Sequence, residues 1–145
     1  MFKHVLLPTD GSKLSERSVR QGIRLAKSLK ARVTALHVIP KFHTFSYEIE
    51  MLERTRAEYE ASSAQRAEDF LRTVQKIAAH AGVECDTLHL SSDHPYKEII
   101  RIAQKKDCDL ILMASHGRGG IESLLLGSET QKVLTHSKTP VLVYR

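Results

Sequence analysis

The sequence has no tryptophan and only two cysteines among 145 residues. Cys85 and Cys108 stand apart, with no Cys-x-x-Cys pair, so reduced thiols in a cytoplasmic protein are expected rather than a disulfide framework. No run approaches the ~20 apolar residues that cross a bilayer, and the first residues lack the apolar core of a signal peptide. We therefore expect no export and no membrane partner. With 41% hydrophobic residues, one domain spanning residues 1–145 is expected.

The net charge of +5 is unevenly placed along the chain. Residues 1–32 hold eight Lys/Arg against two acids, whereas the remainder holds fourteen against fifteen. Five of these cations recur at steps of four and three, which places them on one helix face: Lys13, Arg17, Arg20, Arg24 and Lys27. Since no aromatic side chains interleave and no nucleic-acid motif occurs, we favour a solvated helix face and do not expect a nucleic-acid partner.

Hydrophobic periodicity predicts strands alternating with helices along the whole chain. Strands are predicted over residues 2–9, 33–39, 83–90, 110–114 and 141–144. Helices are predicted over residues 14–30, 57–81, 95–106 and 128–136. Residues 41–51 show no pattern, and the acidic stretch 46–60 is interpreted as a loop entering the second helix. This alternation predicts an α/β fold: a five-stranded, mostly parallel, twisted, Rossmann-like sheet with helices on both faces.

The loop after the fourth strand is rich in glycine. Four of the seven glycines lie within residues 117–127, and Ser128 follows at the start of the last helix. Glycine-rich backbone and a helix N-terminus can together hold a phosphate through N–H groups and the Ser128 hydroxyl. Ser128-x-x-Gln131 also fits a capping box, in which Ser128 caps its own helix. The spacing leaves both interpretations open.

Asp10 follows the first strand, where ligands of open parallel sheets bind. Its carboxylate could accept hydrogen bonds from a sugar or a base, or it could cap the helix that begins near Ser12. Neither Gly-x-Gly-x-x-Gly nor a P-loop occurs, which excludes the two common nucleotide fingerprints. The eight histidines lack the spacing of a helical metal site, so no metal ligands are assigned, and His37 is expected to be a hydrogen-bonded core residue.

Several motifs together resemble the universal stress protein family over essentially the whole chain. They are the segments 8–12 (PTDGS), 36–39 (LHVI), 113–117 (MASHG) with nine residues before Gly127-Ser128, and 139–143 (TPVLV). The family's nucleotide-binding branch has Gly, two residues, Gly, nine residues, then Gly and Ser/Thr. Here the first of these positions is Ala114, a departure whose single methyl we expect the ligand to accommodate.

The resemblance implies an adenine nucleotide alpha hydrolase-like fold that binds ATP or AMP in a stress-response protein. It implies that Pro8, Thr9 and Asp10 contact adenine and ribose, that the Val38 main chain bonds the adenine edge, and that Met113 and Ala114 lie along the ribose. Ser115, His116 and Gly117 would surround the phosphates, and Gly127, Ser128 and Glu129 would close the far side. Arg118 is added for its charge and loop position. Any Mg²⁺ arriving with the nucleotide is expected to be held mainly by phosphates and water.

Two other functions remain open from the sequence. A family member that binds no nucleotide would act through protein contacts, and Ala114 is the residue that distinguishes it. Residues 113–117 also approach the Gly-x-Ser-x-Gly elbow of a serine hydrolase, with Ser115 as nucleophile and His136 as the only histidine downstream of this motif.

Efficient phosphoryl transfer is not expected, because the candidates His116, Arg118 and Glu129 supply no evident general base. At most slow hydrolysis is expected. A regulatory module is favoured, with two states that differ in the order of the loop over residues 115–127. The apolar last strand, Val141, Leu142 and Val143, is expected at a sheet edge, and the resemblance implies a homodimer built on it.

Overall fold

The computed structural model describes residues 1–43, 49–117 and 126–145, and the backbone alone over residues 49–53. The strands are β1 (His4–Thr9), β2 (Arg32–Ile39), β3 (Cys85–Ser91), β4 (Leu110–Ala114) and β5 (Val141–Tyr144). The helices are α1 (Lys13–Leu29), α2 (Ile49–Ala81), α3 (Pro95–Lys105) and α4 (Ser128–His136). The predicted order of strands and helices is confirmed.

The five strands form one parallel sheet in the order β3-β2-β1-β4-β5. β1 is central: Val5 pairs with Val33 of β2 on one side and with Leu110 of β4 on the other. All six residues of β1 are buried, which explains why its sequence shows no alternation of apolar and polar residues. The predicted parallel α/β sheet is therefore confirmed, with β5 at one edge.

Helices cover both faces of the sheet, as predicted. On one face, Val5 and Leu7 of β1 pack in a core with residues of α1 and α2, including Ile23 and Val74. On the other face, Leu6 packs with residues of α3 and α4. Alternate residues of β1 thus supply the two cores, as the period of two in a strand requires.

Gly22 allows α1 to lie close to the sheet. A Cβ atom at this position would overlap the buried side chain of Leu7 and contact that of Leu112 at 3.4 Å. The helix therefore tolerates the lower propensity of glycine because the gain is a close approach to β1 and β4.

The start of α2 differs from the prediction. The loop interpretation of residues 46–60 is wrong from Ile49 onward, and the helix begins eight residues before the predicted position 57; residues 44–48 lie outside the described part. The first turns lack an apolar stripe, which is why periodicity missed them. They carry instead i,i+4 ion pairs, Arg54 to Glu58 at 3.3 Å and Arg56 to Glu60 at 3.0 Å, which support a solvated helix.

The side chain of His4, in β1, is buried and forms two hydrogen bonds. Its Nδ1–H donates to the Lys106 carbonyl at 3.0 Å, and the Thr34 hydroxyl donates to Nε2 at 2.8 Å. Burial, followed by the charge of Arg32, lowers the pKa of His4 below its usual 6.5. The folded protein therefore holds this imidazole neutral.

This predicts a pH-dependent contribution of His4 to stability. Because its pKa is lower in the folded than in the unfolded chain, the contribution is present above pH 6.5 and is lost as pH falls from 6.5 toward the folded pKa. Urea unfolding from about pH 7.5 to about pH 5 measures this, and the advantage of the native protein over His4→Asn is expected to shrink on acidification. His80→Asn, at an exposed histidine of α2, controls for removing a histidine. A difference between native protein and His4→Asn that does not vary with pH would contradict the assignment.

Candidate functional site

A cleft of about 840 Å³ lies at the carboxyl ends of β1, β2 and β4. β1 is the point where the strand order reverses, which is where open parallel sheets bind ligands. Eleven of the thirteen residues proposed from the sequence line this cleft: Pro8, Thr9, Asp10, Val38, Met113, Ala114, His116, Gly117, Gly127, Ser128 and Glu129.

Asp10 lies in the turn between β1 and α1 and directs its carboxylate into the cleft wall. Oδ1 accepts a hydrogen bond from the Ser12 amide at 2.9 Å. A Cβ atom on Gly117 would come within 2.6 Å of Oδ2, so the second oxygen faces the glycine loop. Ser12, not Asp10, is the N-cap of α1, because its hydroxyl accepts from the Ser15 amide at 3.2 Å. The interpretation of Asp10 as the cap is therefore wrong.

Hydroxyl groups beneath Asp10 hold this turn in place. The Thr9 and Ser15 hydroxyls are 2.5 Å apart, and both side chains are buried. The Gly11 amide donates to the Thr9 hydroxyl and the Asp10 amide donates to the Ser15 hydroxyl, each at 3.2 Å. Since these bonds fix the backbone on both sides of Asp10, its carboxylate has a defined direction without help from a ligand.

The N-terminus of α4 lies against the end of β4. The Gly127 amide donates to the Ser115 carbonyl at 2.6 Å, and a Cβ atom on Gly127 would lie 3.2 Å from that oxygen. A side chain on Gly127 would therefore press on the Ser115 carbonyl, so glycine suits this close packing, and the Gly127 amide is already bonded. The first amide of α4 to bond back is that of Gln131, onto the Gly127 carbonyl at 3.0 Å. The amides of residues 128–130 thus precede the first intrahelical bond and form the positive end of the helix.

Ser128 does not cap α4. The N-cap is Gly127, Ser128 is the first helical residue, and its side chain is exposed. The Gln131 side chain donates to the Leu126 carbonyl at 3.1 Å instead of completing a capping box. The capping-box interpretation is therefore wrong, and the Ser128 hydroxyl stands at the helix end beside the cleft.

Two side chains of α4 anchor its first turn. One Glu129 oxygen accepts from the Tyr96 amide of α3 at 2.8 Å, and the other accepts from the Lys132 ammonium at 3.1 Å. The Thr130 hydroxyl donates to the Ala114 carbonyl at 3.0 Å. The carboxylate of Glu129 is thus engaged in positioning α4 between α3 and β4.

Ser115 lies beneath the cleft and does not line it. Its side chain is buried, with Oγ 2.8 Å from Nδ1 of His116. His136, the expected third member of a hydrolase triad, instead packs its ring against Tyr96 at 5.6 Å. The described residues therefore do not assemble a serine hydrolase. Arg118, the remaining proposed site residue, lies outside the described residues, as does the loop over residues 118–125.

One wall of the cleft comes from α2, which the sequence interpretation did not include. Its lining residues follow one another at steps of four, three and four: Tyr59, Ser63, Arg66 and Phe70. This helical spacing is visible in the sequence and could have indicated that they share one helix face. The Arg66 guanidinium lies 3.4 Å from the Ser63 hydroxyl. His37 also lines the cleft, half-buried, with its ring 6.3 Å from that of Phe70. The expectation that His37 is a core residue is therefore wrong.

Other chemistries find little support in the described residues. They contain no group of three or more His, Cys, Asp or Glu side chains able to hold a metal ion. Burial raises the pKa of Cys85 and of Cys108 to about 11 each, so neither is an activated nucleophile at neutral pH. Among the helices described, none is long and apolar enough to cross a membrane.

The position of Ser128 predicts how its removal changes stability. Ser128→Ala is expected to change the free energy of unfolding by less than about 0.5 kcal/mol, because the hydroxyl caps nothing. Ser12→Ala removes a real N-cap and is expected to cost about 1 kcal/mol. Urea unfolding of the two variants side by side measures both effects. Equal losses would mean that Ser128 caps α4 after all.

Comparison with known proteins places the chain in a family. The universal stress protein family model matches residues 1–145. Universal stress protein MJ0531 of Methanocaldococcus jannaschii is 33% identical over 145 residues, covering 100% of this chain and 83% of the relative. The structure of MJ0577 from the same organism has 30% identity and a TM-score of 0.80, covering 99% and 95% of the two chains. UspA from Lactobacillus plantarum has 25% identity and a TM-score of 0.87, covering 99% and 98%. The chain belongs to the universal stress protein family.

Proposed function

We propose that the cleft binds an adenine nucleotide, ATP or AMP, and that the protein is a cytoplasmic regulatory module of the stress response. The observation that carries this proposal is that the Asp10 carboxylate and the N-terminus of α4 line one cleft. A carboxylate that accepts hydroxyl hydrogens and a helix end that attracts anions are the two groups a nucleotide requires.

The main chain of β2 suits recognition of the base. β1 pairs with β2 only as far as Thr9 and His37, whereas β2 continues to Ile39 alongside β3. Beyond His37, the edge of β2 that faced β1 therefore has no paired strand in the described sheet. Backbone groups at Val38 can bond the adenine edge there, and the apolar side chain of Met113 would lie along the ribose. Pro8 and Thr9 would flank the base and ribose.

The other end of the cleft suits phosphate. The first amides of α4 and the exposed Ser128 hydroxyl present donors beside His116 and Gly117. The Gly127 amide is not among the phosphate donors, because it already donates to the Ser115 carbonyl. Phosphate oxygens and water would hold any accompanying Mg²⁺.

Known structures of this fold include adenine-nucleotide complexes. One is a universal stress protein in complex with cAMP, with 22% identity and a TM-score of 0.72. Another is the universal stress protein from Archaeoglobus fulgidus in complex with dAMP, with 17% identity and a TM-score of 0.64. At these identities the comparison carries the fold alone, so the choice of adenine rests on the positions of Asp10 and Val38 and on the glycine motif.

Regulation is favoured over turnover. The acidic candidate for activating water was Glu129, and its carboxylate is bonded to Tyr96 and Lys132. A carboxylate held in this way is poorly placed as a general base, so at most slow hydrolysis is expected. Two unpaired thiols with raised pKa fit the proposed reducing cytoplasm.

Asp10→Asn tests the proposed ribose contact. Asparagine keeps an oxygen for the Ser12 amide but loses the negative charge, and a hydrogen bond to a charged group contributes about 1.5–3 kcal/mol. We therefore expect ATP and AMP affinities to fall about 10- to 100-fold in isothermal titration calorimetry. Mass spectrometry of small molecules released on denaturing the purified native protein is expected to show an adenine nucleotide.

Asp107→Asn is the matched control, since Asp107 is exposed and precedes β4 at the opposite end of the sheet. Equal losses for the two variants would remove the proposed role of Asp10.

Ala114→Gly distinguishes the alternative family member that acts only through protein contacts. Native protein that binds no adenine nucleotide, together with binding gained by Ala114→Gly, would establish that alternative and overturn the proposal.

We also propose that the protein is a homodimer paired through β5. The Ile111 amide donates to the Pro140 carbonyl and the Ser115 amide donates to the Tyr144 carbonyl. Since alternate residues of a strand face opposite neighbours, Leu142 bonds β4 while Val141 and Val143 direct their main-chain groups outward. Leu142 is 40% exposed at this edge. Antiparallel pairing with a second copy would satisfy the outward groups.

Val143→Pro tests the dimer without removing a bond to β4. Proline lacks the outward N–H, so a monomer is expected by light scattering, with the circular dichroism of the fold retained. Val143→Thr keeps the N–H and the β-branched shape and is expected to remain a dimer. A Val143→Pro protein that stays dimeric would place the interface elsewhere.

A further inference from the structure

We propose that the exposed face of α1 binds the phosphate backbone of nucleic acid. The surface consists of Lys13, Arg17, Arg20, Arg24 and Lys27, which we call the basic stripe. It lies on the side of α1 opposite Val19, Ile23 and Ala26, which pack on the sheet. Its steps of four and three keep the side chains along one line, and the line extends ~21 Å at 1.5 Å per residue.

The basic stripe contains every exposed position of α1 between residues 13 and 27. The other ten positions in that interval are buried or half-buried. Apart from the partly exposed Glu16, the charged side chains on the surface of this helix are therefore all positive over residues 13–27, which composition alone did not show.

Most of this charge is not neutralised within the protein. Arg20 bonds Glu16 at 2.8 Å, and Glu16 is the only acid of α1. In the described part of the chain, the other four cations form no ion pair. Like charges at these spacings destabilise a helix, so the arrangement has a cost in the isolated protein.

The other long helix shows how this chain builds a solvated face. On α2, Arg54, Arg56 and Arg72 each pair with an acid three or four residues away. Charges of both signs are mixed there, as on ordinary surfaces. The contrast between the two helices favours a polyanion contact for α1 over the solvated face expected from the sequence.

The side chains of the basic stripe favour one class of polyanion over others. Among the described residues, the large exposed hydrophobic side chains are Met1, Leu134 and Leu142, and none of them lies on α1. The stripe therefore lacks the apolar side chains that insert into a membrane surface and the aromatic anchors typical of protein interfaces. A regularly charged backbone needs neither, so phosphate contacts are expected to dominate and binding is expected to show little sequence preference.

The experiment measures the binding of a fluorescent DNA duplex of about 20 base pairs by anisotropy at several salt concentrations. Four to five phosphate contacts predict a slope of log K against log salt of about −4, a loss of about 250-fold in affinity between 50 and 200 mM salt. Arg24→Gln/Lys27→Gln removes two contacts, so the slope is expected to weaken by about 1.8 and the affinity at 100 mM salt to fall about 60-fold. Adenine-nucleotide affinity is measured in parallel and is expected to be unchanged.

Arg72→Gln/Lys76→Gln is the matched control, because it removes one arginine and one lysine from exposed positions of α2. It is expected to bind DNA as the native protein does. The proposal is overturned if this control weakens binding as much as the stripe variant, because the effect would then be one of net charge. It is also overturned if poly-glutamate or phosphatidylserine vesicles bind the stripe as tightly as DNA, or if the native protein binds no DNA at 50 mM salt.

Discussion

The hydrogen bond from the Gly127 amide to the Ser115 carbonyl is the contact on which the cleft depends. It joins the end of β4 to the beginning of α4 across the intervening loop, and its 2.6 Å length leaves a Cβ on Gly127 only 3.2 Å from the acceptor. The Ser115 amide meanwhile donates to Tyr144 of β5. One buried residue therefore ties the N-terminus of the proposed phosphate-binding helix to the strand proposed as the dimer edge. The two bonds are connected through the backbone of a single residue, Ser115.

The helix α1 lies between the two surfaces for which binding roles are proposed. It begins at Lys13, three residues after Asp10, and the Thr9–Ser15 contact fixes the turn between them at the edge of the cleft. Its buried side carries Gly22 against Leu7, so the helix axis is held close to the sheet. Its outer side carries the basic stripe. Because Asp10 precedes α1 and the basic stripe lies on its outer side, variants at Asp10 and in the stripe change the two surfaces separately.

Strong local patterns predicted the elements well, and weaker ones failed for identifiable reasons. β4, α4 and β5 have the predicted bounds because an uninterrupted apolar run, a glycine before Ser128 and Pro140 mark them clearly. The early start of α2 was missed because ion pairs rather than an apolar stripe support its first turns. The caps could not be assigned from residue types, since Asp10, Ser12, Gly127 and Ser128 are all acceptable caps. Which one serves depends on the backbone torsions at each helix start.

The sequence by itself determined the fold class, the helix-covered parallel sheet and the region of the site, because periodicity and glycine spacing are local properties of the chain. Only the tertiary structure decided which groups remain available in that region. In the structure the Gly127 amide bonds the Ser115 carbonyl, and the Glu129 carboxylate bonds Tyr96 and Lys132. Arg66 and Phe70 of α2 reach the cleft wall. Except for the pair of Glu129 and Lys132, these contacts join residues distant in the chain, and a hydrogen-bonding group that is occupied from a distance looks the same in sequence as one that is open.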